Sequence, residues 1–91
     1  MQVRWSEKAI IDLQALRTYV EQDKPQAAKN LVLKIISIVE DSLLSQPGMG
    51  RPGRTTGTRE LIIPGTPYLV PYRIRNNRLE ILRVLHSAMQ W

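Results

Sequence analysis

Cysteine is absent from the 91-residue chain, which excludes a disulfide framework, thiolate chemistry and cysteine-ligated metal sites. A single histidine leaves no histidine cluster for a metal, and no motif calls for a cofactor. No segment approaches the roughly 18 consecutive apolar residues of a membrane span. The N-terminal MQVRWSEK has no apolar run behind its basic residues, so the expectation is a cytoplasmic protein without membrane contact. Acidic residues are scarce in the second half. Residues 46–91 hold seven arginines against Glu60 and Glu80, whereas residues 1–45 balance six Lys or Arg against six Asp or Glu. Lysine is missing from that half as well. Paired-carboxylate hydrolysis is thereby disfavoured, and no nucleophile elbow brings a serine to the histidine.

What is present divides the chain into a helical part and a strand-rich part. The length gives one domain, residues 1–91, with a modest core. Gln2 to Trp5 alternates as a short edge strand, and Ser6 is a natural N-cap with Glu7 in the first helical turn. Ile10, Leu13, Leu16 and Val20 recur at helical spacing over residues 7–22, with Ala9 and Tyr19 at the margins and Lys8, Asp12, Arg17 and Glu21 outward. Pro25 suits the first turn of a second helix, which a broad apolar stripe carries to Leu44. The glycine- and proline-rich QPGMGRPGR then forms a basic connector. It fails as a phosphate loop, because neither a Lys-Ser or Lys-Thr pair nor a helix follows it.

Residues 57–87 read as a three-stranded meander with strands at Thr58–Ile63, Tyr68–Arg75 and Arg78–His86. Pro64-Gly65-Thr66-Pro67 is the first turn, and Asn76-Asn77, tolerant of positive φ, is the second. That hairpin sets Arg75 opposite Arg78, Ile74 opposite Leu79, Arg73 opposite Glu80 and Tyr72 opposite Ile81. One face is apolar, and the other carries Arg73, Arg75, Arg78 and Glu80, continuing through Pro71, Leu69, Leu82 and Val84. A bulge at Pro71 would flip the register beyond it and move Arg83 onto the basic face. The expected architecture is α+β, in the order β-α-α-β-β-β, with a helical hairpin packed on one face of a small antiparallel sheet.

An arginine-lined sheet face suits an anionic partner, because the guanidinium fork binds phosphate or carboxylate bidentately. The catalytic chemistry that survives the exclusions is metal-independent cleavage of RNA. A general base would take the 2′-hydroxyl proton and arginines would hold the phosphate. His86, Arg83 and Arg59, with Arg73, are the candidates. A nucleic-acid-binding module without catalysis is a further possibility. Against it, Tyr68 and Tyr72 fall on the apolar hairpin face and supply no platform for bases.

The order strand, helical hairpin, meander, together with RPGR, GTRELIIPGTPYLVPYRI and LEILRVLHSAMQW, resembles the RelE/ParE superfamily of toxins from bacterial type II toxin-antitoxin systems. The resemblance covers essentially the whole chain and implies a toxin neutralised by a cognate antitoxin, the complex contacting operator DNA through the antitoxin. It offers two activities. RelE-like members cleave mRNA on the ribosome, and ParE-like members poison DNA gyrase. Leu69 and Ser87 stand where RelE-like toxins place arginines, and no C-terminal tyrosine follows, so the ParE-like branch is favoured. Under that reading Arg51, Arg54, His86 and Trp91 are the expected target contacts, and Arg59, Arg73, Arg75 and Arg83 the expected antitoxin contacts. His86, Arg83 and Arg59 would be catalytic under the alternative.

Overall fold

The computed structural model describes residues 1–89. Helix α1 spans Glu7–Glu21 and α2 spans Pro25–Ser37, the latter continuing through a π-helical turn at Ile38–Leu43. The Ser6 hydroxyl accepts from the Ala9 amide at 3.0 Å, so one orphan donor of α1 is satisfied where the sequence placed the cap. The two helices pack against each other and cover one face of a sheet. Ala9, Leu16, Ile35, Val39 and Leu43 meet Leu61, Ile63, Val70, Tyr72, Leu79 and Ile81 in a single core. Fully burying an aliphatic side chain of this size contributes about 1.5–3 kcal/mol.

Among the described residues the sheet has six strands: β1 Gln2–Trp5, β2 Arg51–Pro52, β3 Arg59–Ile62, β4 Tyr68–Arg75, β5 Arg78–Ile81 and β6 Leu85–His86. Its order is β1-β5-β4-β3-β2, with β6 also pairing β4. β1 runs parallel to β5, so the sheet is mixed and not wholly antiparallel. Four residues of QVRW carry no signal for direction; the helical crossover that follows them sets it. β2, hidden in the Gly- and Pro-rich connector, pairs with β3 through Arg51–Glu60 and Pro52–Arg59. The β4–β5 register is the one expected from the Asn76-Asn77 turn, whose φ angles are 53° and 58°.

The long final strand expected at Arg78–His86 is broken in two, and Pro71 is the reason. Tyr72 pairs with Ile81, yet three residues earlier on β4, Leu69 pairs with Leu85, so the returning chain has one extra residue. The Pro71 carbonyl accepts from the Leu82 amide at 2.9 Å, but proline has no N–H to return the bond. Residues 82–84 leave the ladder there and take partners from α1 and its cap. The Ser6 hydroxyl donates to the Leu82 carbonyl at 2.8 Å, and the Val84 amide donates to Asp12 Oδ2 at 2.9 Å. Val84 turns into the core in consequence, away from the open face expected for it.

The same bonds rotate α1. Asp12, expected outward, faces the strand crossing, while Ile10 and Ile11 are about half exposed and Tyr19 is 72% exposed. The buried stripe of α1 is therefore Ala9 and Leu16 with Leu13 beside them.

Replacing Asp12 by Ala leaves the Val84 amide and the Arg83 guanidinium without their acceptor, and the expected loss is about 1–3 kcal/mol in a urea titration. Asp12→Asn, which keeps one acceptor oxygen, is expected to lose less. Across the hairpin, Arg73 Nε bonds Glu80 at 2.6 Å, and this bond, aided by Arg75, holds the Glu80 carboxyl below its ordinary 4.5. A depressed folded-state pKa stabilises fully above pH 4.5, and that stabilisation is lost as pH falls through the folded value. Acid titration followed by circular dichroism should show this sensitivity reduced in Glu80→Gln.

Candidate functional site

Strand alternation sorts the arginines before any contact does. Residues of β4 with even numbers face the helices, and Leu69, Pro71, Arg73 and Arg75 face the other way. Pairing adds Arg78 and Glu80 from β5 and Arg4 and Gln2 from β1 to that open face. The hairpin end of the sheet thus presents Arg4, Arg73, Arg75 and Arg78 around one carboxylate. Glu80 takes Arg73 at 2.6 Å and Arg75 at 3.6 Å, and among the described residues no ion pair reaches Arg4 or Arg78. Arg4 is not among the candidates drawn from the sequence, although QVRW alternates and the parity of its alternation is a signal for this placement.

Further along the open face the arginines are tied down. Glu60 is 2% exposed and receives the Arg51 guanidinium at 3.2 Å, the Arg54 amide at 3.1 Å and the Arg54 guanidinium at 3.5 Å. Arg54 also donates to the Met89 carbonyl at 2.9 Å, so the β2–β3 loop is stitched to the segment after β6. Two of the expected target contacts, Arg51 and Arg54, are thereby brought beside the chain that follows His86. Trp91 lies outside the described residues.

Arg59 does not join Arg73 and Arg75. It pairs with Tyr72, on the helix-facing side, and its guanidinium donates to the carbonyls of Gly50 at 2.7 Å and Gly48 at 3.3 Å. Tyr72 anchors the same loop: its hydroxyl donates to the Pro47 carbonyl and accepts from the Gly50 amide. Burial raises that phenol above its ordinary 10.0, which keeps it a neutral donor. Gly50 is required here, because an added Cβ would lie 2.6 Å from the Tyr72 hydroxyl.

Arg83 does not reach the basic face either. The register flip expected at Pro71 is present, but Arg83 turns to α1 and makes a bidentate bond to Asp12, Nε at 2.7 Å and Nη2 at 3.0 Å. Hydrogen bonding to Asp12 holds the guanidinium above its ordinary value. The four arginines expected in one antitoxin groove therefore occupy three places.

His86 pairs with Tyr68 and stands edge-on to its ring at 5.7 Å, and its Nδ1 accepts from the Ala88 amide at 3.1 Å. Arg59 lies opposite Tyr72, four residues along β4, a separation of roughly 13 Å at strand rise. The Arg59 guanidinium is bonded to the connector and the Arg83 guanidinium to α1, and among the described residues neither is bonded to His86. What His86 does join is an apolar depression of about 320 Å³ with Ala15, Tyr19, Tyr68 and Met89. It continues onto the exposed stripe Ile11, Ala15 and Tyr19 of α1. Periodicity sets Tyr19 at the margin of the core; its spacing from Ile11 and Ala15, eight and four residues, is the signal in the sequence for a separate exposed row.

The family model for the ParE toxin of type II toxin-antitoxin systems, parDE, matches residues 3–91. Y4kP of Sinorhizobium fredii, whose toxin designation is provisional, is 43% identical over 98% of this chain and 91% of its own. Toxin RelE2 of Caulobacter vibrioides is 33% identical over 96% of each. The solved chromosomal ParDE system of P. aeruginosa superposes with a TM-score of 0.86 at 29% identity, covering 94% of this chain and 95% of that one. The RelBE2 toxin-antitoxin complex of Mycobacterium tuberculosis gives 0.69 at 27% identity, covering 93% and 95%. A match over nearly every residue, on the same two-helix and mixed-sheet architecture, shows that this chain belongs to the ParE toxin family of type II toxin-antitoxin systems.

Proposed function

We propose that this toxin inhibits growth by binding DNA gyrase, and that it does not cleave RNA. The observation that carries the reading is the dispersal of the candidate cleavage residues. Arg59 holds the connector, Arg83 holds α1, and His86 packs on Tyr68 at the edge of an apolar depression. A phosphate clamp needs its cations free, and the two guanidiniums are each bonded to other parts of the fold. The target surface is assigned to Arg51, Arg54 and the segment after His86, which the Arg54–Met89 bond gathers into one region. Glu60 positions both arginines beneath it.

The cognate antitoxin is assigned to the exposed α1 stripe. Ile11 and Tyr19, with Ala15 between them, form an i, i+4, i+8 row that borders the depression at Tyr68, His86 and Met89. A segment that folds on binding must bury apolar surface to offset its ordering entropy, and this stripe offers it. It replaces the groove of Arg59, Arg73, Arg75 and Arg83 expected from the sequence, because those side chains share no groove.

Expression from a tightly controlled promoter, with DNA and protein synthesis followed separately, tests the activity. DNA synthesis is expected to stop first, Arg51→Ala/Arg54→Ala to lose the effect, and His86→Ala to keep it. Early collapse of translation with phased mRNA cuts would instead establish ribosome-dependent cleavage. For the antitoxin, Tyr19→Glu is expected to weaken binding about tenfold, or ~1.4 kcal/mol, by calorimetry. An unchanged affinity would place the antitoxin elsewhere.

A further inference from the structure

The hairpin end of the open sheet face has no role in the target or antitoxin assignments, and its composition is unusual. Three adjacent strands contribute Arg4, Arg73, Arg75 and Arg78, with Gln2 and Glu80 completing the surface. Glu7 borders it at the Arg4 end, in a depression of about 280 Å³ shared with Arg73 and Glu80. At the other end Arg75 stands directly opposite Arg78. Like charges facing each other across a ladder destabilise the hairpin, and the one nearby carboxylate, Glu80, makes an ion pair with Arg75 at 3.6 Å and acts on Arg78 only through its longer-range field. A cation pair that a single shared carboxylate only partly offsets is stabilised further by an anion that binds both.

We propose that this face binds the phosphodiester backbone of duplex nucleic acid, independently of sequence. Charge complementarity selects the ligand class, and what the face lacks selects the duplex. Among the described residues, the exposed aliphatic nearest the hairpin tip, Ile74, points to the opposite side with Leu79, and both meander tyrosines lie there too. A peptide that folds on binding would find little apolar surface to bury here, only what Trp5, Ile81 and Leu82 leave at the margin of the depression. Trp5 lines the depression at the Arg4 end, but it belongs to the helix-facing side of β1 and its indole N–H is bonded to Glu40, so it gives single-stranded bases no open platform. A phosphate backbone needs neither, since guanidinium contacts and counterion release supply its affinity. The inference stands apart from the gyrase assignment, because it concerns a different face.

The test is fluorescence anisotropy of the purified full chain with a short labelled DNA duplex of mixed sequence, over a salt series. Sequence-independent binding near Kd ~10⁻⁴–10⁻⁶ M at physiological salt is expected, with log K falling linearly in log salt. Arg75→Ala/Arg78→Ala should shallow the slope by roughly 0.9 for each phosphate no longer neutralised, while Lys29→Ala on α2 leaves it unchanged. The double variant removes a repulsive pair, so its thermal midpoint should hold, which separates a binding defect from a folding defect. Comparable binding of an RNA duplex supports the proposal, as both ligands present the same backbone. Salt-independent binding, indifference to the double variant, preference for single strands, or capture of an acidic peptide with no duplex binding would each overturn it.

Discussion

The missing amide hydrogen of Pro71 is the constraint from which the functional geometry follows. β4 bonds to β3, β5 and β6, and at Pro71 it can accept from the returning strand but cannot donate to it. One extra residue enters the return, the ladder breaks over residues 82–84, and Ser6 and Asp12 supply the missing partners from the start of α1. That exchange fixes the rotation of α1, and with it which apolar residues are left outside. Ile11 and Tyr19 are exposed because Asp12 is held inward. A single missing donor in the sheet thus determines the surface offered by a helix far away in sequence.

Two kinds of surface result, and their chemistry separates the partners they suit. The α1 stripe with its adjoining depression is apolar and half open, the kind of surface that rewards a folding segment. The hairpin end of the sheet is polar and cationic, with little to reward apolar burial. Between them, Arg51 and Arg54 are held over a buried carboxylate and tied to the C-terminal segment. Arginine count alone would pool all of these into one basic patch.

Much of the fold is legible in the sequence because it rests on local rules. The Asn76-Asn77 turn fixes the hairpin register, Ser6 announces the start of α1, and period-two alternation puts Tyr72 inside and Arg73 outside. Other features depend on partners distant in sequence. β2 lies in a Pro- and Gly-rich connector whose pairing arises from Arg59 and Tyr72 gripping the residues before it. The flip at Pro71 is foreseeable, but the fate of Arg83 is not, because its acceptor sits 71 residues earlier, on a helix position that reads as solvent-facing. Arg59 is misplaced for a similar reason: its parity is readable, yet the carbonyls that capture it belong to a loop of no regular pattern.

The two carboxylates of the second half show how so few acids organise so many arginines. Glu60, buried, makes charge-assisted bonds to Arg51 and to both the backbone and the side chain of Arg54, which fixes those groups in place. Glu80, on the surface, draws Arg73 tightly and Arg75 loosely, and leaves Arg4 and Arg78 without an ion pair among the described residues. Burial is the difference. A desolvated carboxylate must be fully paired to be tolerated, so it immobilises its partners and builds a defined contact surface. A solvated one leaves neighbouring cations free to move and to exchange water for phosphate. Positioned arginines suit recognition of a shaped protein target, and loosely paired, exposed ones suit a uniform polyanion. The single histidine accepts from the Ala88 and Met89 amides and so anchors the segment that Arg54 holds, while Arg59 and Arg83 are bonded elsewhere in the fold.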